Sequence, residues 1–128
     1  MDTTSNKPNE EALEKLAMEI YDFLVRNKLW WDTCILYGDK EIHTESFGHA
    51  DGKSYRKKDK SNPMDYVPRI RPEQHILSIV SHNSCLNRVL TSETECDVKM
   101  QDELEKIFEK YDLFYELCGW NAITASMY

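Results

Sequence analysis

Two segments of the chain place hydrophobic residues at helical spacing. The first follows Pro8 and a pair of glutamates, residue types that are typical of a helix start. Its apolar positions recur three and four residues apart: Leu13, Leu16, Ala17, Ile20, Phe23 and Leu24. The second follows Asp97, a favoured capping residue type, and its apolar positions are Met100, Leu104, Ile107, Phe108 and Tyr111. The pattern predicts two long amphipathic helices.

An alternating apolar pattern, typical of β-strands, follows each helix. The first alternation runs from Leu29 to Phe47 around Gly38-Asp39, a dipeptide suited to a two-residue hairpin turn. In that register Cys34 faces His43, on the side of the sheet away from the helices. The second alternation, from Leu113 to Tyr128, predicts another hairpin with its turn near Gly119.

The two helix-and-hairpin segments resemble each other. A shift of 84 positions superimposes them without a gap, aligning Leu16, Ile20, Phe23, Leu24, Leu29, Trp30, Trp31, Asp32 and Cys34 with Met100, Leu104, Ile107, Phe108, Leu113, Phe114, Tyr115, Glu116 and Cys118. With a further strand over His75 to His82, the order predicts an α+β fold. We expect a single domain over 1–128, with an antiparallel sheet of about five strands and two long helices on one face, built from two similar modules. The other face is then left for solvent or a partner.

The remaining segments are less regular. Residues 1–7 are polar and expected to be disordered. Residues 48–72 contain glycines, prolines and serines and are predicted to be a loop-rich insert, with short strands at Tyr55 and at Tyr66-Val67 as an alternative. The segment from Cys85 to Leu90 predicts a short helix, with a sixth strand as the competing interpretation.

The charge is distributed unevenly. The net charge of -7 divides into -6 for residues 1–52, +5 for residues 53–71 and -6 for residues 72–128. Overall acidity argues against direct nucleic-acid binding, because phosphate repulsion extends over a Debye length of about 8 Å. The start of the chain does not resemble a signal peptide, and no apolar run approaches a membrane span. We therefore expect a cytoplasmic protein whose four cysteines, which lack CxxC spacing, are reduced thiols.

One group of residues has the chemistry of a metal or catalytic site. Cys34 and His43 are predicted to pair across the hairpin, beside Asp32 and Glu45, and Cys118 occupies the matching position in the second module. Thiolate and imidazole are zinc ligands, and a thiol-imidazole pair can also act as a nucleophile. The simpler interpretation is that the thiols are buried and the other residues are solvated. His49, His75 and His82 are isolated, and the absence of recognised catalytic motifs predicts that the protein is not an enzyme and requires no cofactor.

A second group of residues suits contact with a protein. The aromatic residues Trp30, Phe47, Phe114 and Trp120 are predicted on the sheet face away from the helices, where an aromatic patch with acidic neighbours is typical of an interface. Residues 53–71, the basic part of the loop-rich insert, are called the basic insert. In it, Arg56, Lys57 and Lys58 are candidates for contact with an acidic surface. The competing interpretations are that the aromatics are core residues and that the charges are solvated.

The hypothesis that these features favour is a non-catalytic protein-binding module that forms a homodimer. Small size and strong acidity also suit an inhibitor of a nucleic-acid-binding enzyme, of the type that phages and mobile elements use in counter-defence. The alternative is a small-ligand or zinc-binding module that uses Cys34 and His43.

Overall fold

The computed structural model describes residues 8–44, 54–60, 75–82 and 85–127. These residues form an α+β fold with three helices and a six-stranded antiparallel sheet. The helices are α1 (Glu10–Arg26), α2 (Cys85–Thr91) and α3 (Glu95–Glu109). The strands are β1 (Thr33–Tyr37), β2 (Lys40–Thr44), β3 (Tyr55–Lys58), β4 (Leu77–Ser81), β5 (Leu113–Leu117) and β6 (Ala122–Met127).

The strand order across the sheet is β3-β2-β1-β4-β6-β5, so β3 and β5 are the edge strands of the described sheet. The main hydrophobic core lies between one face of the sheet and the helices, and it joins Leu16 and Phe23 of α1 and Phe108 of α3 to strand residues such as Ile35 and Ile79. This confirms the predicted helices on one face. No helix in the described part of the chain is long and apolar enough to cross a membrane.

Each long helix begins at a side-chain cap. Asn9 Oδ1 accepts a hydrogen bond from the Ala12 backbone N–H at 2.8 Å, which satisfies one of the free donors at the start of α1. Thr94 Oγ1 accepts in the same way from Asp97 N–H, at 3.3 Å. The cap of α3 is therefore Thr94 and not Asp97 as predicted; Asp97 lies inside the first turn, where its carboxylate is favoured by the helix dipole.

The predicted register of the first hairpin is confirmed. Cys34 pairs with His43 and Ile35 with Ile42, and Gly38 has the positive φ of 58° that the turn requires. The strand, however, begins at Thr33 and not at Leu29. Asp32 has a φ of 52°, which interrupts the extended backbone, and Trp30 before it packs in the core.

The sheet differs from the prediction in strand number. Part of the basic insert forms β3, which pairs with β2 so that Arg56 lies opposite His43 and Lys58 opposite Glu41. The sheet formed by the described residues therefore has six strands where about five were predicted, and the segment starting at Cys85 forms the short helix α2 in addition to the two long helices. The possible strand at Tyr66-Val67 lies outside the described residues.

The two modules correspond in their helices but not in their strands. Lys28 and Asp112, which the shift of 84 aligns, each follow the end of a long helix, and both have a φ of 59°. Beyond them the structures diverge, because β5 starts directly at Leu113 whereas β1 starts only at Thr33. The topology also differs: β1 lies inside the sheet next to β4, whereas β5 lies at its edge. The prediction of two similar helix-hairpin modules is therefore wrong for the hairpins.

The sheet face away from the helices is not open at its centre. Its buried side chains form a small apolar cluster of Cys34, Leu36, Val80 and Ala122, against which Cys118 packs. The expectation that this face is left for solvent or a partner is wrong for these positions, because a buried side chain has no surface with which to contact a partner.

Candidate functional site

A polar cavity of about 320 Å³ lies beside the end of the β1–β2–β3 ladder. It is lined by Asp32, Thr33, Cys34, Glu41, His43, Thr44, Lys58 and His82. Three of the four residues in the predicted chemical cluster, Asp32, Cys34 and His43, are thus brought to one cavity. The fourth, Glu45, lies outside the described residues. Lys58 and Glu41 join the cavity through strand pairing, which the sequence analysis did not use.

Cross-strand pairing places charged groups around the thiol. His43 lies opposite both Cys34 on β1 and Arg56 on β3, and its Nδ1 is 3.1 Å from the Thr44 carbonyl oxygen. Glu41 is only 4% exposed and lies opposite Lys58. The cavity therefore combines carboxylate, ammonium, imidazole and thiol groups.

The Cys34 thiol is poorly suited to nucleophilic chemistry. It is 2% exposed, and this burial raises its pKa, an effect that the neighbouring Glu41 carboxylate reinforces and Lys58 opposes. A thiol with a raised pKa is protonated at neutral pH, whereas the thiolate is both the nucleophile and the metal ligand. The cavity can hold a polar ligand, but its thiol is not activated.

Cys118 does not join Cys34 and His43. Cys34 pairs with Val80 on β4, Val80 pairs with Ala122 on β6, and Cys118 donates its backbone N–H to the Ala122 carbonyl. Three strand spacings separate the two cysteines, which is about 14 Å. Among the described residues, no group of three or more His, Cys, Asp or Glu side chains is arranged to hold a metal ion. The predicted three-residue zinc site is therefore not assembled.

The three isolated histidines have different positions. His75 is buried, with its Nε2 2.8 Å from Ser78 Oγ. His82 is exposed and lines the polar cavity, which the sequence analysis did not foresee. His49 lies outside the described residues.

The aromatic residues predicted to contact a partner do not form one patch. Trp30 is completely buried in the main core, where Nε1 donates to the Ser54 carbonyl at 3.0 Å and the ring packs edge-on against Tyr21. Assigning it to a partner surface was wrong, since its side chain has no exposed area. Phe114 is half-buried on β5, and Phe47 lies outside the described residues.

Trp120 is exposed, but it lies in a turn and not on the sheet face where it was predicted. It is 69% exposed in the β5–β6 turn, next to Leu117, which is 51% exposed. Asn87 Nδ2 donates to the carbonyls of Gly119 and Ala122 at 3.0 and 3.1 Å, so the turn is anchored to α2. A cavity of about 270 Å³ lies alongside and is lined by Asn87, Arg88, Thr91, Leu117, Gly119 and Trp120.

Leu117 and Asn87 were not identified from the sequence. An apolar residue at a strand end before a glycine turn is a usable signal for Leu117. Asn87 gives no such signal, because its partners lie more than thirty residues later in the chain.

The three basic residues of β3 point to different sides of the sheet. Arg56 and Lys58 lie on the side of Glu41 and His43, whereas Lys57 points toward the helices and bonds to Glu14 of α1. The Lys57 ammonium holds the pKa of the Glu14 carboxyl below its ordinary value. Lys57 is thus paired within the molecule. Lys58 lines the polar cavity, and Arg56 lies opposite His43, which also lines it.

The described residues therefore present two candidate sites, the polar cavity at Cys34 and the apolar surface at Trp120. The chain was compared with known proteins at three levels: family models, curated sequences and solved structures. None of these comparisons finds a match.

Proposed function

We propose that the protein is a non-catalytic protein-binding module. Its contact surface, here called the β5 surface, consists of the edge strand β5 together with Leu117 and Trp120. The observation that supports this proposal best is the exposure of Trp120 on an anchored turn beside an exposed leucine.

Physical reasons favour this surface over others on the molecule. Tryptophan is enriched among the residues that dominate binding energy, because it removes a large apolar area from water when a partner covers it. A side chain on an anchored turn loses less conformational freedom on binding than one on a mobile loop. Two adjacent exposed apolar residues beside a cavity supply the apolar centre of a small interface.

The decisive experiment compares two tryptophan variants. A partner captured from the source cells is purified, and its affinity is measured for the wild type, for Trp120→Ala and for Trp31→Ala. Trp31 is the matched control, because it is also exposed, at 40%, but precedes β1, which β4 and β6 separate from β5 in the sheet. We expect Trp120→Ala to weaken binding at least about tenfold and Trp31→Ala to have little effect. Equal effects of the two variants would contradict the proposal.

The charge of the helical layer supports a basic partner. α3, which packs against β5, has six acidic and two basic residues. An inhibitor that covers the basic groove of a nucleic-acid-binding enzyme is the form of this function that suits such a surface. Binding would then weaken as salt concentration rises, and the nucleic acid would compete with the protein for the enzyme.

A second function is supported by the polar cavity. A space of about 320 Å³ lined by charged and hydrogen-bonding groups has the size of a small-ligand site. A small-ligand or zinc-binding role would use Cys34 and His43, which remain paired although Cys118 is distant. Calorimetric titration with zinc tests the metal version: binding lost in Cys34→Ser and His43→Ala but retained in Cys96→Ser would support it, and binding unaffected by all three would exclude it.

A further inference from the structure

The edge strand β5 has a defined set of unpaired backbone groups. In antiparallel pairing, hydrogen-bonded residue pairs alternate with pairs whose N–H and C=O groups point away. Cys118 donates to the carbonyl of Ala122, which identifies that pair as hydrogen-bonded. The alternation then assigns the outward positions of β5 to Leu113, Tyr115 and Leu117, of which Leu113 is buried and the other two are accessible. Within the described sheet, β5 pairs with β6 alone, so no described strand takes up these groups.

Acidic side chains flank this edge on the helix side. Glu103 and Lys110 lie on the side of α3 that faces α1, because they bond to Arg26 and Glu19. On the helix surface, Asp102 and Glu105 lie on the other side. The Tyr115 ring of β5 packs against Phe108 of α3, with ring centroids 5.8 Å apart, which brings the strand beside this side of the helix. Burial raises the pKa of Tyr115, and the nearby Glu105 and Asp102 carboxylates raise it further.

Acidic residues continue around the strand. Glu109 lies one turn after Glu105 and is exposed, and Glu116 is exposed within β5 itself. Among the described residues, no ion pair involves Asp102, Glu105, Glu109 or Glu116. By contrast, the acidic residues of α1, and Glu103 on the side of α3 that faces α1, form ion pairs with lysine or arginine residues of the same chain. The acidic flank of β5 therefore retains its charge for an external group.

The opposite edge of the sheet has the reverse character. β3 reads Tyr-Arg-Lys-Lys and is exposed throughout. Basic residues on an edge strand discourage pairing with a second copy of the same edge. No positive charge occurs within β5, whose sequence is Leu-Phe-Tyr-Glu-Leu. Of the two described edges, β5 is thus the one that is open to strand addition, and its flank selects for positive charge.

We propose that β5 binds a basic, extended segment of a partner protein, which adds to the sheet as a further antiparallel or parallel strand. The backbone groups of Tyr115 and Leu117 supply the main-chain hydrogen bonds, and the carboxylates supply the selectivity. This inference rests on the proposed protein-binding function and names the chemistry of its partner. Basic side chains are accommodated on both sides of the added strand, since Asp102 and Glu105 lie on the helix side and Glu116 on the other.

A pair of substitutions at one position tests the backbone contact. Leu117→Pro removes an outward N–H without removing a bond to β6, and proline is tolerated on an edge strand in that orientation. Leu117→Ala removes the side chain but keeps the N–H, and is the matched control. The probe is a capped, fluorescein-labelled peptide in which lysine alternates with valine, and its binding is measured by fluorescence anisotropy.

The expected result is that Leu117→Ala binds the lysine peptide more weakly than the wild type, because an apolar contact is lost, and that Leu117→Pro binds it at least about tenfold more weakly than Leu117→Ala. A peptide in which glutamate replaces lysine should not bind. The double variant Glu105→Gln, Glu116→Gln leaves the β5 backbone unchanged and should weaken binding of the lysine peptide. It tests the charge selection even if the proline variant does not fold. Circular dichroism verifies that each variant is folded.

Four outcomes would overturn the inference. Equal binding of the lysine and glutamate peptides excludes selection by charge, and equal binding to Leu117→Pro and Leu117→Ala excludes strand addition. The protein could instead associate with itself, which would be seen as a molecular mass that rises with protein concentration. If the double variant Arg56→Glu, Lys58→Glu lowers that mass, the occupant of β5 is the basic edge of a second copy. Failure of the peptide while Trp120→Ala still weakens the natural partner would reject strand addition and leave the proposed function standing.

Discussion

Cys34 lies directly opposite His43 across the β1–β2 ladder, yet the thiol is shielded from solvent while the imidazole is half-buried. The pair has the proximity that a thiol-imidazole site requires, but burial and the Glu41 carboxylate keep the proton on sulfur. Proximity and activation are separate requirements, and only the first is met here.

Alkylation rates should distinguish Cys34 from Cys96. Cys96 is exposed at the start of α3, whereas Cys34 is buried with a raised pKa. With iodoacetamide at pH 8, we expect Cys96 to be modified quickly and Cys34 only as fast as the protein unfolds, since the thiolate is the reactive form. Mass spectrometry of peptides after timed quenching gives both rates. Modification of the two thiols at equal rates in folded protein would contradict this prediction.

Trp30 and Trp120 should have opposite mutational profiles. Trp30→Ala removes a completely buried ring and its hydrogen bond to Ser54, and we expect a loss of about 3–5 kcal/mol in the free energy of unfolding. Trp120→Ala removes an exposed ring and should change stability by less than about 0.5 kcal/mol. Urea unfolding measures both values. A large loss in Trp120→Ala would show that the side chain supports the fold and would weaken its assignment to an interface.

The helices and the first hairpin were predictable because their determinants are local. Helical spacing from Leu13 to Leu24 and the Gly38-Asp39 turn fix the element and the register within a few residues. The positive φ at Asp32 was not visible in the pattern, and Trp30 before it enters the core and does not lie on the opposite face. The turn between α1 and β1, with positive φ at Lys28 and Asp32, therefore accompanies the change in the role of Trp30.

The candidate sites depended on long-range order that the sequence pattern does not contain. The insertion of β4 between the two hairpins separates Cys118 from Cys34, and local periodicity carries no information on strand order. The pairing of β3 with β2, which brings Lys58 to the polar cavity, joins residues from an insert whose composition is typical of a loop. Trp120, by contrast, was predicted on the sheet face away from the helices but lies in the β5–β6 turn, where a side chain is exposed in almost any arrangement of the strands.

The stability lost on substituting Gly38 should depend only on how readily the new residue adopts a positive φ. Gly38 has a φ of 58°, and a Cβ added there would meet no atom within 4 Å. Gly38→Ala should therefore lose about 1–2 kcal/mol through the left-handed conformation, and Gly38→Val should lose more because its side chain is branched. Asparagine adopts this conformation more readily, so Gly38→Asn is the control with the smallest loss. Urea unfolding ranks the three variants, and a loss in Gly38→Asn as large as that in Gly38→Val would contradict the backbone explanation.

Acid should weaken the contact between α1 and the end of α3 through Glu19. Burial alone would raise the Glu19 pKa, but hydrogen bonds from Lys110 and from Tyr111 Oη, the latter at 2.7 Å, outweigh it and lower the pKa below 4.5. A carboxylate with a lowered pKa in the folded state stabilises the protein fully above pH 4.5, and this contribution is lost as the pH falls through the folded-state pKa. In Glu19→Gln the stability should consequently depend less on pH below 4.5.

The same contact predicts an effect at the alkaline end. Burial and the Glu19 carboxylate raise the pKa of Tyr111 from 10.0 to about 12. A phenol with a raised pKa in the folded state contributes stability that is present below pH 10 and is lost as the pH rises through 12. Tyr111→Phe should remove this alkaline dependence and also shift the Glu19 titration back toward 4.5, since the carboxylate loses a donor. Urea unfolding from pH 3 to 12 measures both effects, with Glu11→Gln as the matched control, because Glu11 forms an exposed pair with Lys15 at 3.8 Å. A Glu19 titration unchanged in Tyr111→Phe would show that the Tyr111 hydroxyl does not lower the Glu19 pKa.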